Sequence, residues 1–220
     1  MDTPSRAARR VSAGPRRGHG PLRIVRAGAL TAMPWKNGGG LTREIAAYPV
    51  GAGLDTFVWR VSVADVEQTG PFSTFEGVER TLVLLAGSGM RLLENGGLAH
   101  ALTAPLAVAR FDGAAQLEAQ LIDGATRDFN LMVRRDRARA ALHVWRDSGR
   151  HVLEADVALV FCAHGELALR LTGADRRAAD VDPAQATLGP MDTLVLDAPR
   201  ALRCDVKGEG AALAVLLQYL

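Results

Sequence analysis

The chain has 220 residues, 48% of them hydrophobic and 23% charged, with a mean hydropathy of +0.06. Such values exclude a wholly disordered chain, a collagen and a coiled coil, and fit one large domain or two small ones around a shared core. The formal net charge of +2 is unevenly placed: five arginines (Arg6, Arg9, Arg10, Arg16, Arg17) stand against Asp2 in residues 1–20, and the rest of the chain is slightly acidic, which disfavours nucleic-acid binding by the body.

Residues 1–20 lack the apolar stretch of a secretory signal. They read as a disordered basic leader, or as an over-extended start. From there the pattern is mostly of period 2. In Phe57–Ala64 the apolar Phe57, Trp59, Val61 and Val63 fall on one face, and Arg60 and Ser62 on the other. Asp65–Thr69 is predicted to form one helical turn. Arg80–Ala86 is almost continuously apolar, as in a strand covered on both sides. In Asp128–Arg134 the residues Phe129, Leu131 and Val133 alternate with Asp128, Asn130, Met132 and Arg134. Arg135–Leu142 is read as a short helix or as the lead into a strand over 141–146, Asp175–Ala186 as a loop, and Thr193–Leu196 as a buried strand. Turn signals such as Gly70-Pro71, Asn95-Gly96, Asp123-Gly124 and Gly189-Pro190 recur at short intervals. Many short strands with regular turns predict an all-β sandwich or barrel. Apolar runs such as Ala211–Leu217 are far below the ~20 residues of a membrane span.

The chain also echoes itself. Leu82–Leu92 resembles Leu159–Leu169, and Ala104–Arg110 resembles Gly189–Val195. Each pair is a strand, a glycine turn and a second strand, or a proline turn leading into a strand. A duplicated small barrel follows. Cys162 and Cys204 sit in apolar stretches and read as buried free thiols rather than a disulfide framework. The cytoplasm is the expected compartment.

Four segments carry a more specific signal: Met33–Ile45, with its Trp35-Lys36-Asn37-Gly38-Gly39-Gly40 run; Phe57–Ala64; Gly70–Arg80; and Asp128–Arg135. Together and in this order they resemble the HutD/Ves family, most closely over residues 33–135 and more loosely beyond. The resemblance implies an all-β bicupin, two small cupin-type barrels in one chain. The expected division is a leader over 1–20, an N-terminal half over 21–135 that holds the motifs, and a C-terminal half over 136–220. The resemblance also implies an association with histidine degradation, through binding of an intermediate such as formylated or formiminated glutamate.

A cupin metal site needs a His-x-His pair, a nearby Glu and a later His. Glu79 and Arg80 stand about where the pair belongs, and none of the five histidines forms one. No metal and no other cofactor is expected. Gly38-Gly39-Gly40 lacks the ending of a phosphate-binding loop and reads as a tight turn. No serine or cysteine has the neighbours of a nucleophile. What remains is a polar set on strand faces: Thr42 and Glu44, Arg60 and Ser62, Arg80, and Asn130, with Asn37 beside the glycine turn. Facing one lumen, these seven would suit a small acidic metabolite, since guanidinium forks match carboxylates and an amide reads a formyl or amide group. The bland alternative is an internal network in which Arg60 or Arg80 pairs with Glu44 or Glu79. Trp35, Trp59, Phe72 and Phe75 read as core.

The leading expectation is therefore a metal-free bicupin that binds a small carboxylate and modulates histidine utilisation. It needs no nucleic acid and no membrane, and acts as a monomer or homodimer. The alternative is a metal-independent isomerase or epimerase with Glu44 or Glu79 as base. Pairing to arginine makes a glutamate a poor base near neutrality. The C-terminal half has fewer polar strand residues, so its barrel is expected to be packed shut.

Overall fold

The structure is a computed structural model that describes residues 22–173 and 184–220. Nineteen strands and a single 3-10 turn, Ala27–Ala29, make up its regular elements, and among the described residues no helix is long and apolar enough to cross a membrane. The expected leader and most of the loop predicted over 175–186 lie outside the described residues. The last three residues of that loop open strand β16, Ala184–Leu188.

The first half pairs a large sheet with a small one. The large sheet runs in the order β2 (Ala32–Pro34), β3 (Gly40–Tyr48), β4 (Trp59–Val66), β11 (Thr126–Arg134), β6 (Val78–Ala86) and β9 (Val108–Asp112). The small one runs β5 (Gly70–Pro71), β10 (Leu117–Leu121), β7 (Met90–Glu94) and β8 (Gly97–Leu102). Strands β3, β4, β6, β9 and β11 position the site. The second half repeats the plan, with a sheet in the order β1 (Leu22–Val25), β17 (Thr193–Asp197), β14 (Val157–Gly165), β19 (Gly210–Tyr219) and β12 (Ala138–Arg146). Opposite it lie β13 (Gly149–Leu153), β18 (Leu202–Lys207), β15 (Leu167–Thr172) and β16. Strand β1, Leu22–Val25, belongs in sequence to the first half, yet it pairs with β17 of the second. The helical readings of 65–69 and 135–142 give way to strand ends and turns. Asp65 and Val66 complete β4, and β12 starts at Ala138, because both segments add residues to ladders already begun by alternating neighbours.

The echo in the sequence is an echo in the backbone. In the β6–β11 ladder the register shifts between Arg127 and Asp128, leaving Leu85 as the extra residue, and the β14–β19 ladder shifts in the same place, leaving Ala163. Leu106 and Met191 both adopt positive φ, +61° and +67°. Each bonds back to the strand beside it: the Leu106 amide donates to the Leu84 carbonyl, and the Met191 amide to the Cys162 carbonyl.

Period 2 decides where the cores lie. The apolar face of β4 and β11 (Trp59, Val61, Val63, Phe129, Leu131, Val133) packs back to back against Leu159, Phe161, Leu213, Val215 and Leu217 of the second half. The Phe129 and Phe161 rings meet with centroids 5.0 Å apart. Phe57 departs from this face. It lies just before β4 and packs with Val78 and Met132. The opposite face of the same strands turns into the first half, and the polar residues go with it.

Candidate functional site

A cavity of about 1000 Å³ opens between the sheets of the first half. Its long wall is the inner face of β3, β4, β11 and β6. Antiparallel register sorts that face into three rows. Thr42, Ala64, Asp128 and Leu84 form the first. Glu44, Ser62, Asn130 and Leu82 form the second, and Arg60, Met132, Arg80 and Phe111 the third. A small apolar floor (Val66, Leu84, Met90, Leu92, Leu102, Leu117) closes the bottom of the half.

Of the seven residues expected to bind a ligand, Asn37, Thr42, Glu44, Arg60, Arg80 and Asn130 line this cavity. Ser62 shares their face but is buried and does not reach the lining, and its hydroxyl accepts from Arg60 Nη1 at 3.2 Å. Asn37 and Thr42 also have local partners. Asn37 Oδ1 accepts from the Gly39 amide at 3.1 Å, and Thr42 Oγ1 from Trp35 Nε1 at 2.8 Å. These bonds shape the glycine turn. Gly38 has φ +69°, and a Cβ on Gly40 would stand 2.2 Å from the Asp65 carbonyl oxygen, so only glycine lets the turn press against β4.

The two arginines differ. Arg60 Nε donates to Glu44 Oε2 at 2.7 Å in an ion pair, the internal network foreseen as the bland alternative. Arg80 has no acidic partner among the described residues. Its Nη1 donates to the Ser73 carbonyl at 3.2 Å. Three rings surround the guanidinium, with Phe72, Phe75 and Phe111 centroids at 5.1, 5.7 and 5.2 Å. Its buried Nε has no hydrogen-bond partner among the described residues. Burial, and then repulsion from Arg60, lower its pKa to about 10, so it stays charged at neutral pH. Glu79, the other candidate partner or base, is exposed and not among the lining residues.

Asp128 was not among the expected binding residues. It lines the cavity's inner end and is fully buried. Thr126 Oγ1 donates to its Oδ2 at 3.1 Å, and among the described residues its Oδ1 has no partner. Burial pushes its pKa up to about 7, against the Thr126 hydrogen bond and with the help of Asp65. The signal for it was the alternation in β11, which puts Asp128 on the Asn130 face with no basic residue two positions away. Lys36 joins the lining too, and Trp35, Phe72 and Phe75, expected as core, form part of the wall. The outer lip includes Gly51–Leu54. Arg134 fixes the end of that loop by donating to the Phe57 and Asp55 carbonyls at 2.8 and 2.6 Å.

The carboxylates of the cavity are Glu44 and Asp128, with no histidine or cysteine beside them. Among the described residues no three metal-ligating side chains converge. One occupied carboxylate and one buried acid do not fit the imidazole-rich set that a cupin metal takes. The arrangement offers instead a fixed, unpaired guanidinium, an amide with an unpartnered buried oxygen on Asn130, and aromatic walls.

The family model described as HutD matches residues 27–214. An uncharacterised 21.2 kDa protein in the hutC 3′ region of Pseudomonas putida is 41% identical over 152 residues, covering 69% of this chain and 79% of that protein. Protein Ves of Cronobacter sakazakii is 40% identical over 111 residues, half of this chain and 59% of Ves. Among solved structures, HutD from Pseudomonas fluorescens SBW25 superposes with a TM-score of 0.76 at 32% identity, over 91% of this chain and all of that one. Oxalate decarboxylase of Lactobacillus farciminis gives 0.60 at 8% identity, over 93% of this chain and 87% of that one. That likeness places the fold among cupins and carries nothing about chemistry.

Proposed function

The chain belongs to the HutD family, a cupin-like group associated with histidine utilisation, and from that premise we propose that it binds a small carboxylate metabolite of the formylglutamate or formiminoglutamate type in its N-terminal cavity and thereby modulates that pathway. The observation that carries the reading is Arg80. A guanidinium taken out of water without a counter-ion is costly, and three aromatic rings hold this one in place. An incoming carboxylate relieves that cost by bonding to it. Arg60 adds a second positive group, largely spent on Glu44. Asn130, one row away, supports recognition of a formyl or amide group. The enzyme alternative has less support: Glu44 is held by Arg60 and Glu79 is exposed.

Calorimetric titration with N-formyl-L-glutamate and N-formimino-L-glutamate tests the reading. The expected result is saturable heat with at least one of them. Arg80→Ala is expected to weaken it by about tenfold to a hundredfold, the range for a charge-assisted hydrogen bond. An Arg80→Lys variant should recover little, because an ammonium lacks the planar fork. Absence of heat with both compounds at millimolar concentration would sink the proposal.

A further inference from the structure

Asp128 has no part in the reading above, yet it shares the lumen with the anion site. The inner rows run from guanidinium (Arg60, Arg80) through amide (Asn130) to carboxyl (Asp128), each about 6.8 Å from the next along β11. Asp128 is sealed at the far end. Among the described residues it has no cationic partner, and one of its oxygens bonds nothing. The groups around it are few. On its own strand stand Thr126 and Asn130. From β4 comes Ala64, and the neighbouring Asp65 is held by Arg43 and Arg127. From β3 come Thr42 and, one row on, Glu44. From β6 come Leu84 and Leu82, with Arg80 two rows away. Lys36 lies in the cavity lining, which contains no histidine.

The balance of charge in this enclosure is what matters. Lys36 is exposed at the rim, where solvent screens it. Deeper in, Glu44 offsets Arg60, which leaves the buried charge of Arg80. While Asp128 is ionised, the buried part of the lumen is already neutral, and a carboxylate entering it adds a negative charge that nothing there compensates in a poorly screened space. While Asp128 is protonated, one buried positive charge is free, and one carboxylate of the ligand matches it. We infer that the cavity takes up its anion together with a proton, and that Asp128 holds the proton. Near neutral pH the carboxyl is poised to accept it. The inference rests on the anion-binding reading and adds to it a proton and the residue that carries it.

Wild-type protein is titrated with N-formyl-L-glutamate, whose carboxyls stay ionised throughout, between about pH 6 and pH 8.5. The titrations are repeated in two buffers of different ionisation enthalpy. A coupling worth one pKa unit weakens binding by about fivefold to tenfold across that range and takes up about half a proton per ligand near pH 7.5. In Asp128→Asn both the pH dependence and the buffer-dependent heat should disappear. A second variant, Thr126→Val, removes the bond that favours the ionised carboxylate, so the fall in affinity should move to higher pH. Flat affinity with no proton uptake in the wild type overturns the inference while leaving anion binding intact. Proton uptake that survives in Asp128→Asn, or a midpoint unmoved in Thr126→Val, places the proton elsewhere and overturns it too. Failure to bind at any pH removes the anion-binding reading, and the inference falls with it.

Discussion

The two halves have one backbone plan and opposite interiors. Matching the ladders through their shared bulge sets Asp128, Asn130 and Met132 of β11 against Ala212, Ala214 and Leu216 of β19. It sets Arg80, Leu82 and Leu84 of β6 against Ala158, Val160 and Cys162 of β14, and Arg60, Ser62 and Ala64 of β4 against Ala141, His143 and Trp145 of β12. Phe111, part of the box around Arg80, corresponds to Leu196. The second interior closes on leucines, alanines and Trp145. The first leaves a cavity of about 1000 Å³ with two arginines in its wall. The fold thus provides a lumen twice, and three rows of side chains decide whether it is a core or a site.

The largest effect should come from forcing the second interior toward the first. Ala214 is fully buried beside Val160, in the place of Asn130. Ala214→Asp puts a carboxylate where nothing donates to it and where leucines already fill the space. A loss of about 5 kcal/mol is expected from the unpaired charge together with overpacking, read as a lowered urea midpoint. A loss below about 1 kcal/mol would mean that this interior is wetter than its packing implies.

Next comes the reverse change, which makes the first interior more like the second. The Asp128 carboxyl titrates near 7 in the fold and near 3.8 in the unfolded chain, chiefly because it is buried. Below pH 3.8 it is protonated in both states and its ionisation costs the fold nothing. From there to pH 7 the penalty grows, and above pH 7 it holds at about 4 kcal/mol. Asp128→Asn should therefore raise thermal stability at about pH 8, by somewhat less than that figure, since the amide still buries an unpaired polar atom. The gain should fade toward about pH 4. An equal change at both pH values would show that the carboxyl is not the cause.

Most of this comparison was legible in the residues. Alternation in 57–64 and 128–134 placed Arg60, Ser62 and Asn130 on one side and Val61, Val63, Phe129 and Leu131 on the other, and the repeated glycine and proline turns showed the duplication. Three features were not legible, each for a physical reason. Strand β1 joins the second half's sheet, where the Asp192 carboxylate accepts from Arg26 Nη1 and the Ala27 amide at 2.7 and 2.8 Å. That contact spans some 165 residues, and no local pattern encodes it. The company of Arg80 is aromatic rather than acidic: Phe72 and Phe75 precede it in the same segment but read as core, and Phe111 belongs to β9, which only folding brings beside it. Asp128 is the third: its face was readable, but the want of a cation near it was not.

The smallest expected effect sharpens the contrast between the two arginines of the first half. Glu44 ties up Arg60 through a 2.7 Å bond, and its side chain is about one-third exposed, so solvent screens part of the pair. Glu44→Gln keeps an oxygen that can accept from Arg60 Nε but removes the negative charge. The lumen then carries two uncompensated guanidinium groups instead of one. Affinity for N-formyl-L-glutamate should rise by about fivefold, on the order of 1 kcal/mol at the effective dielectric of a part-exposed site. The same variant in an Arg60→Ala background should bring no gain, because the charge it unmasks is gone. If affinity instead falls in Glu44→Gln alone, the Glu44 carboxylate itself receives a hydrogen bond from the ligand, and the division into one masked and one free arginine has to be redrawn.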